Sequence, residues 1–393
     1  MTEFIILMAS MISIFAISID AMMPALGIIG TDLSASHANE TQFIISSIFA
    51  GSMIGQLVCG PLSDALGRKK VLYGGLVLYG IGSAVCYFAQ SMEVILLGRM
   101  IQGLGVSAPY VTSVAVVRDK YAGRDMARIM SLVMMIFILV PAVAPAIGQG
   151  ILFFADWRAI FLLYICYAAV IGTWVFFRLE ETLRPEDKIK FSVTDILRGF
   201  KIVFKNRITV CYTIAMGFLF GSFIGYLSSC QQIFQVQFGV GNKFALYFGA
   251  LALVLGVASL VNSRIVQKIG MRLICTESTL CLIAASAVFL AVNLTLDVEL
   301  WMFLTYATVI FFCFGLMFGN LNSIAMEPMG HIAGIASAVT GAVSSCISLI
   351  IGSSIGQLYD GTLIPVVTGF FVLNVFTLIL MKVAARGEKE VIA

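Results

Sequence analysis

Two ionisable side chains stand inside long apolar runs of this sequence, Asp20 in the first run and Arg99 in the fourth. A charge within a lipid-spanning segment is costly, so its presence calls for a role. Asp20 lies about 16 residues into its run, which at 1.5 Å per residue is about 24 Å. Arg99 lies about six residues into a run of opposite direction, or about 9 Å. Across a core of about 30 Å these depths nearly coincide. Both groups are therefore expected to face one central cavity, directly or through Gln102 one turn on. Two readings stand: a static buried ion pair, or an acid that takes up and releases a proton. Burial favours a neutral carboxyl and a nearby guanidinium favours the charged one. That balance is one which substrate arrival or helix motion can tip, and it favours the proton switch.

A second constellation is GPLSDALGRKK, Gly60 to Lys70, between the second and third apolar runs. Gly60 and Pro61 are expected to close a helix. Asp64 can cap or charge-pair across the loop, Gly67 permits the reversal, and Arg68, Lys69 and Lys70 pin the loop to the cytoplasmic face. The fifth run holds Pro141, Pro145, Gly148 and Gly150, and two prolines four apart bend a helix and free backbone carbonyls. Ser228, Ser229, Gln231, Gln232 and Gln235 near the end of the seventh run either line a pathway or mark where the helix meets water. Glu277 lies near the edge of the ninth run, within reach of interfacial water. Glu327 and His331 are read as solvated in the tenth–eleventh connection. Asp32, Glu40, Glu93, Asp297, Glu299 and Asp360 fall in outer loops, where no special role is expected.

Enzyme chemistry finds little here. There are no paired carboxylates, no phosphate-cradling loop and no nucleophile elbow, and two histidines, at 37 and 331, build no site. The nine cysteines lie in or beside apolar runs without a CxxC pair, which reads as small buried hydrophobes rather than metal ligands or disulfides. No cofactor or metal is expected.

The elements that must position these groups follow from composition. The chain is 60% apolar and 11% charged, against about a quarter charged in soluble domains. Runs long enough to cross a bilayer are expected at 4–28, 41–62, 71–90, 93–115, 127–150, 158–178, 208–236, 243–262, 273–293, 299–322, 332–356 and 363–382. The first continues past a signal-peptide core and lacks a basic start, so no cleavable signal is expected. With the amino terminus inside, all Lys and Arg except Arg99, Arg158 and Lys243 fall in inner connections or the carboxyl tail. Both termini are therefore read as cytoplasmic. The fold class is an all-α membrane protein of twelve transmembrane helices in two six-helix bundles, 1–179 and 208–393. A linker, 180–207, joins them, its second part an amphipathic helix with apolar Val193, Ile196, Leu197, Phe200, Val203 and Phe204. Ser192 and Asp195 suit a capping box, and the helix is read as lying on the inner membrane surface as an inter-half linker, with partner docking the lesser reading. Net charge of +3 gives no reason to expect nucleic acid.

The Gly60–Lys70 loop resembles the signature loop of the major facilitator superfamily. The wider set narrows this to the bicyclomycin-resistance (Bcr/CflA) branch of drug-efflux proton antiporters, which the chain resembles over nearly its whole length. That set comprises Asp20-x-x-x-Pro24-Ala25-Leu26, Gly55-Gln56-Leu57, Arg99-x-x-Gln102-Gly103-x-Gly105, Val117-Arg118-Asp119, Trp157-Arg158-x-Ile160-Phe161, Glu181-Thr182-Leu183 and Ala333–Ala338. The resemblance implies a proton-driven exporter of small toxic compounds, phenicol- or bicyclomycin-like, acting as a monomer in the bacterial inner membrane by alternating access. It implies Asp20 as the proton-coupling acid with Arg99 as partner. It also implies Gly60, Asp64, Gly67 and Arg68 in an inner-face latch between halves, and Pro141, Pro145 and Gly148 as an antiporter element sealing against proton leak. Met23, Gln102, Tyr110, Tyr226 and Gln231 are candidates for the substrate cavity. The alternative is a proton-coupled carrier of a metabolite such as a sugar, nucleoside or amino-acid derivative. Such carriers tend to have charged or sugar-contacting polar groups in both halves, and the second half here is nearly free of deep charge. The second-half counterpart of the signature loop, Asn262–Arg264 and Gly270–Arg272, is eroded.

Overall fold

The computed structural model describes residues 2–121, 123–188 and 193–392. Long apolar stretches leave the backbone no partner but itself in lipid, and helices are the outcome. They are α1 (Thr2–Asp20), α2 (Leu26–Asp32), α3 (Phe43–Leu66), α4 (Arg68–Tyr87), α5 (Met92–Lys120), α6 (Gly123–Leu152) and α7 (Arg158–Arg178), followed by α8 (Val193–Lys205), α9 (Arg207–Gln231), α10 (Phe244–Ile269), α11 (Met271–Thr295), α12 (Leu300–Met326), α13 (Ala333–Gln357) and α14 (Ile364–Ile392). Among the described residues twelve helical segments are long and apolar enough to cross a membrane, and none is a strand. The first of these segments combines α1, a one-turn 3-10 helix at Met23–Ala25, and α2.

The chain divides into two compact units, one of residues 1–192 with 244–249 and one of 193–243 with 250–393. In the first unit α5 is the central helix, packed on both α3 and α4, while α1 packs on α5, α6 and α7. In the second, α9 packs on α12, α13 and α14. There Gly217, Gly221 and Gly225 lie directly against Ile347, Ile351 and Ile355, the close approach that small residues at four-residue spacing allow.

Two local expectations change. Gly60 and Pro61 do not close the second span; α3 runs through both and stops at Gly67, whose φ of +109° suits glycine. A proline in a membrane helix removes one amide bond, and neighbouring helices make that tolerable. The amphipathic helix α8 does not lie on the bilayer by its apolar face alone. Val203 is buried with Met329, Ala336 and Val339 of the second unit, with Phe200 and Ile202 packed beside them. Phe204 stays 55% exposed. Ser192 lies outside the described residues, and so does the side chain of Asp195.

Candidate functional site

Asp20 is the last residue of α1. The helix stops there because the chain turns through Ala21 and Met22 into the 3-10 helix containing Pro24, which has no amide hydrogen to continue the ladder. Asp20 is only 5% exposed, yet among the described residues its carboxyl has neither a hydrogen bond nor an ion pair. A buried carboxylate without a counter-charge or donor is costly.

Arg99, fully buried in α5, does not supply that counter-charge. Its Nη2 donates to Ser18 O (2.9 Å), its Nε to Ile44 O (3.2 Å) and its Nη1 to Gln102 Oε1 (2.8 Å). The depth expectation holds, since Ser18 is two residues from Asp20, but the expected charge pairing does not. The reason is the break itself. At the end of α1 the amide of Met22 does not reach Ser18 O, which instead accepts from Arg99 Nη2 and from Tyr164 Oη (3.3 Å). Arginine's fork of five donors suits such carbonyls as well as it suits a carboxylate. Nor does Gln102 reach Asp20. Its Nε2 donates to Ser83 Oγ (2.6 Å), so both ends of its amide are engaged within the Arg99 network rather than facing a substrate. Ser18 Oγ and Tyr79 Oη share a 2.6 Å hydrogen bond.

The proline- and glycine-bearing helix α6 meets the same place. A Cβ at Gly148 would collide with the backbone carbonyl of Ala21, the residue after Asp20. Pro145, one turn earlier, is buried, and Pro141 is half-buried. Thus Asp20, Arg99 and Gly148, far apart in sequence, converge on one interruption of the first span. No spacing rule predicts the contact between Gly148 and Ala21, because it depends on the mutual rotation of α1 and α6.

The signature loop forms a second polar cluster, built within the first unit. Arg68 is 3% exposed. Its Nη1 donates to Asp64 Oδ1 (2.5 Å) and Ser63 Oγ (2.8 Å), and its Nε to Asp119 Oδ2 (2.9 Å). Thr182 Oγ1 also donates to Asp119 (2.9 Å). Gly67 cannot cap α4 with a side chain, and Glu181 does so instead: its carboxylate accepts from the amides of Arg68 (2.9 Å) and Lys69 (3.1 Å). A carboxylate at a helix N-terminus meets free amides and the positive end of the helix dipole. Gly60, by contrast, is not sterically required, for an added Cβ would meet only Val111 at ordinary contact distance. Asp119 and Glu181 carry no role on sequence grounds, although both stand in the quoted motifs.

Other expectations resolve as follows. Met23 is buried in the 3-10 turn, and Tyr110 is half-buried on α5. Tyr226 packs edge-on against Phe311 at 5.1 Å, and Gln231 Nε2 donates to Gln235 Oε1 (2.8 Å) where α9 passes into a π-helical turn at Gln232–Gln237. Asp32 is no idle loop acid. It ends α2 and accepts from Trp157 Nε1 and Arg158 Nη1, both at 2.9 Å. Glu327 pairs with Arg272 (3.0 Å), a cation of the eroded second loop.

Twelve spans in two units, with a buried acid at the break of the first, are the architecture of a multi-pass membrane transporter. The Major Facilitator Superfamily model matches residues 4–353, and the chain belongs to that family, whose members are transporters rather than enzymes. It is 29% identical over 368 residues to an uncharacterized MFS-type transporter, YdgK, of Bacillus subtilis, covering 91% of this chain and 89% of that protein. It is 28% identical over 351 residues to a bicyclomycin resistance protein homolog of Haemophilus influenzae (88% and 87%). A chloramphenicol resistance protein of Pseudomonas aeruginosa is 28% identical over 394 residues (96% and 91%). The structure of the xylose transporter XylE from E. coli has the same fold, with a TM-score of 0.71 at 12% identity, covering 97% of this chain and 96% of that one. The chain is a multi-pass protein of the bacterial inner membrane.

Proposed function

We propose that the protein is a drug efflux transporter and that it exchanges protons for small, drug-like toxic compounds of the phenicol or bicyclomycin type. The observation that carries this reading is the bare, buried carboxyl of Asp20 at a helix break, in a family member whose relatives are named for resistance to such drugs. Substrate entering beside Asp20 raises the local polarity and drives the proton off; reprotonation from the other side resets the carrier. The two bundles, 1–179 and 208–393, alternate access about a central site, with both termini cytoplasmic and the monomer as the working unit. Asp64 and Arg68, with Gly67 shaping the turn between α3 and α4, form the inner-face latch, and Gly60 lies one turn before Asp64 on α3. Pro141, Pro145 and Gly148 seal the space beside Asp20 against proton leak. Met23, Tyr110, Tyr226 and Gln231 contribute to the drug cavity, Gln102 serving it through Arg99.

Inverted membrane vesicles given a pH gradient provide the test. They should accumulate chloramphenicol when acid inside and stop when the gradient is collapsed. Accumulation only under the reversed gradient would instead identify a proton symporter, and with it the alternative of an importer.

A further inference from the structure

Helix α7 carries a groove of about 500 Å³ that the transport account leaves unused. It is lined by Ala169, Val170, Thr173, Trp174, Phe177 and Arg178, residues of one helix face. Val170 is 60% exposed and Phe177 75%, so on a membrane-spanning helix this face meets lipid. Thr173 Oγ1 bonds back to Ala169 O (2.8 Å), which leaves the slot without a free hydroxyl donor.

Charge at the mouth of the groove distinguishes it from ordinary lipid-facing surface. Glu3, at the start of α1, forms an ion pair with Arg178, its Oε1 2.8 Å from Nε, and the same oxygen accepts from Trp174 Nε1 (3.2 Å). Beyond this ion pair, neither Glu3 Oε2 nor the terminal guanidinium nitrogens of Arg178 make a hydrogen bond among the described residues. An apolar slot therefore ends in one open acceptor and one open pair of donors, side by side at the end of a span, with an indole at the depth where tryptophan favours the lipid headgroups.

We propose that this groove is a binding site for one phospholipid with an ethanolamine headgroup. The acyl chain lies along Val170, Thr173 and Phe177, the phosphate accepts from the terminal nitrogens of Arg178, and the ammonium donates to Glu3 Oε2. The pair of opposite charges matches a zwitterion. A choline headgroup has no N–H to offer Glu3, and a glycerol headgroup offers only neutral hydroxyl donors, without the cation that makes the bond to the carboxylate charge-assisted on both sides.

The test is lipid binding to the purified full chain, counted by native mass spectrometry with ethanolamine, choline and glycerol phospholipids of identical chains. One ethanolamine lipid should be retained in about threefold to tenfold preference over the other two, the net worth of one hydrogen bond at a solvent-exposed pair. Glu3→Gln should erase the preference over choline, and Arg178→Gln should weaken all three. Val170→Trp should weaken all three while leaving both charges in place. These side chains are exposed, so an unchanged apparent Tm without lipid confirms folding. Equal retention of ethanolamine and choline lipids by the wild type would overturn the proposal, as would a preference that survives both Glu3→Gln and Arg178→Gln.

Discussion

The guanidinium of Arg99 holds the carbonyl of Ser18 at 2.9 Å, two residues before the acid it was expected to pair with. This changes what the arginine does. It stands in for the amide donors that α1 loses at its break, so it fixes where Asp20 sits while leaving the carboxyl free of a permanent partner. An acid locked in a salt bridge would resist protonation; one held by its backbone is free to exchange.

Replacing Arg99 should therefore be structural as well as functional. Arg99→Ala removes three buried hydrogen bonds, to Ser18 O (which keeps Tyr164 Oη), to Ile44 O and to Gln102 Oε1, at about 0.5–1.5 kcal/mol each. Arg99→Lys keeps the charge but not the fork. Both variants should lower the apparent Tm in detergent and abolish efflux, with Lys the milder in Tm. An Arg99→Ala protein of wild-type Tm and wild-type pH profile would remove Arg99 from the account.

Gly148 gives a steric prediction with an internal control. Gly148→Ala drives a methyl group into the Ala21 carbonyl, whereas a Cβ at Gly150 meets nothing within 4 Å. Gly148→Ala should lose most of the resistance conferred in an efflux-deficient bacterium, and Gly150→Ala should keep it at equal expression. Equal resistance from the two would mean that α6 does not brace the break.

The loop cluster predicts an order of effects. Asp119 receives Arg68 Nε and Thr182 and is the more buried carboxylate, its side chain 16% exposed against 35% for Asp64. Asp119→Asn should thus cost more stability than Asp64→Asn, and Glu181→Ala should cost about 1 kcal/mol through loss of the α4 cap. Asp64→Asn should lower turnover more than drug affinity if the loop also latches the two halves. Spin-label distances across the inner ends of the bundles, compared between Asp64→Asn and wild type, read that directly; identical distances would reduce the loop to an anchor within one unit.

What was legible in the sequence was what composition and depth control. Twelve apolar runs became twelve spans, their ends shifted because helices such as α3 continue past the apolar stretch to Leu66. Asp20 and Arg99 were recognisable because charge in lipid is rare, and their common depth follows from residue counting. Their lack of pairing was not legible, since it depends on α1 breaking at Asp20 rather than running on to residue 28, and on carbonyls competing for the guanidinium. Glu181 capping α4 from 113 residues away, and Gly148 meeting Ala21, are products of helix packing that no local pattern encodes. Asp32 was passed over because an acid in a loop looks solvated until the indole of Trp157 is found beside it.

Proton release on substrate binding tests the central claim most directly. In weakly buffered detergent solution near neutral pH, adding chloramphenicol to the purified wild-type protein should release a proton, visible with a pH indicator dye. Asp20→Asn should bind the drug and release none. Undiminished release from Asp20→Asn would contradict the account and place the exchanging proton elsewhere.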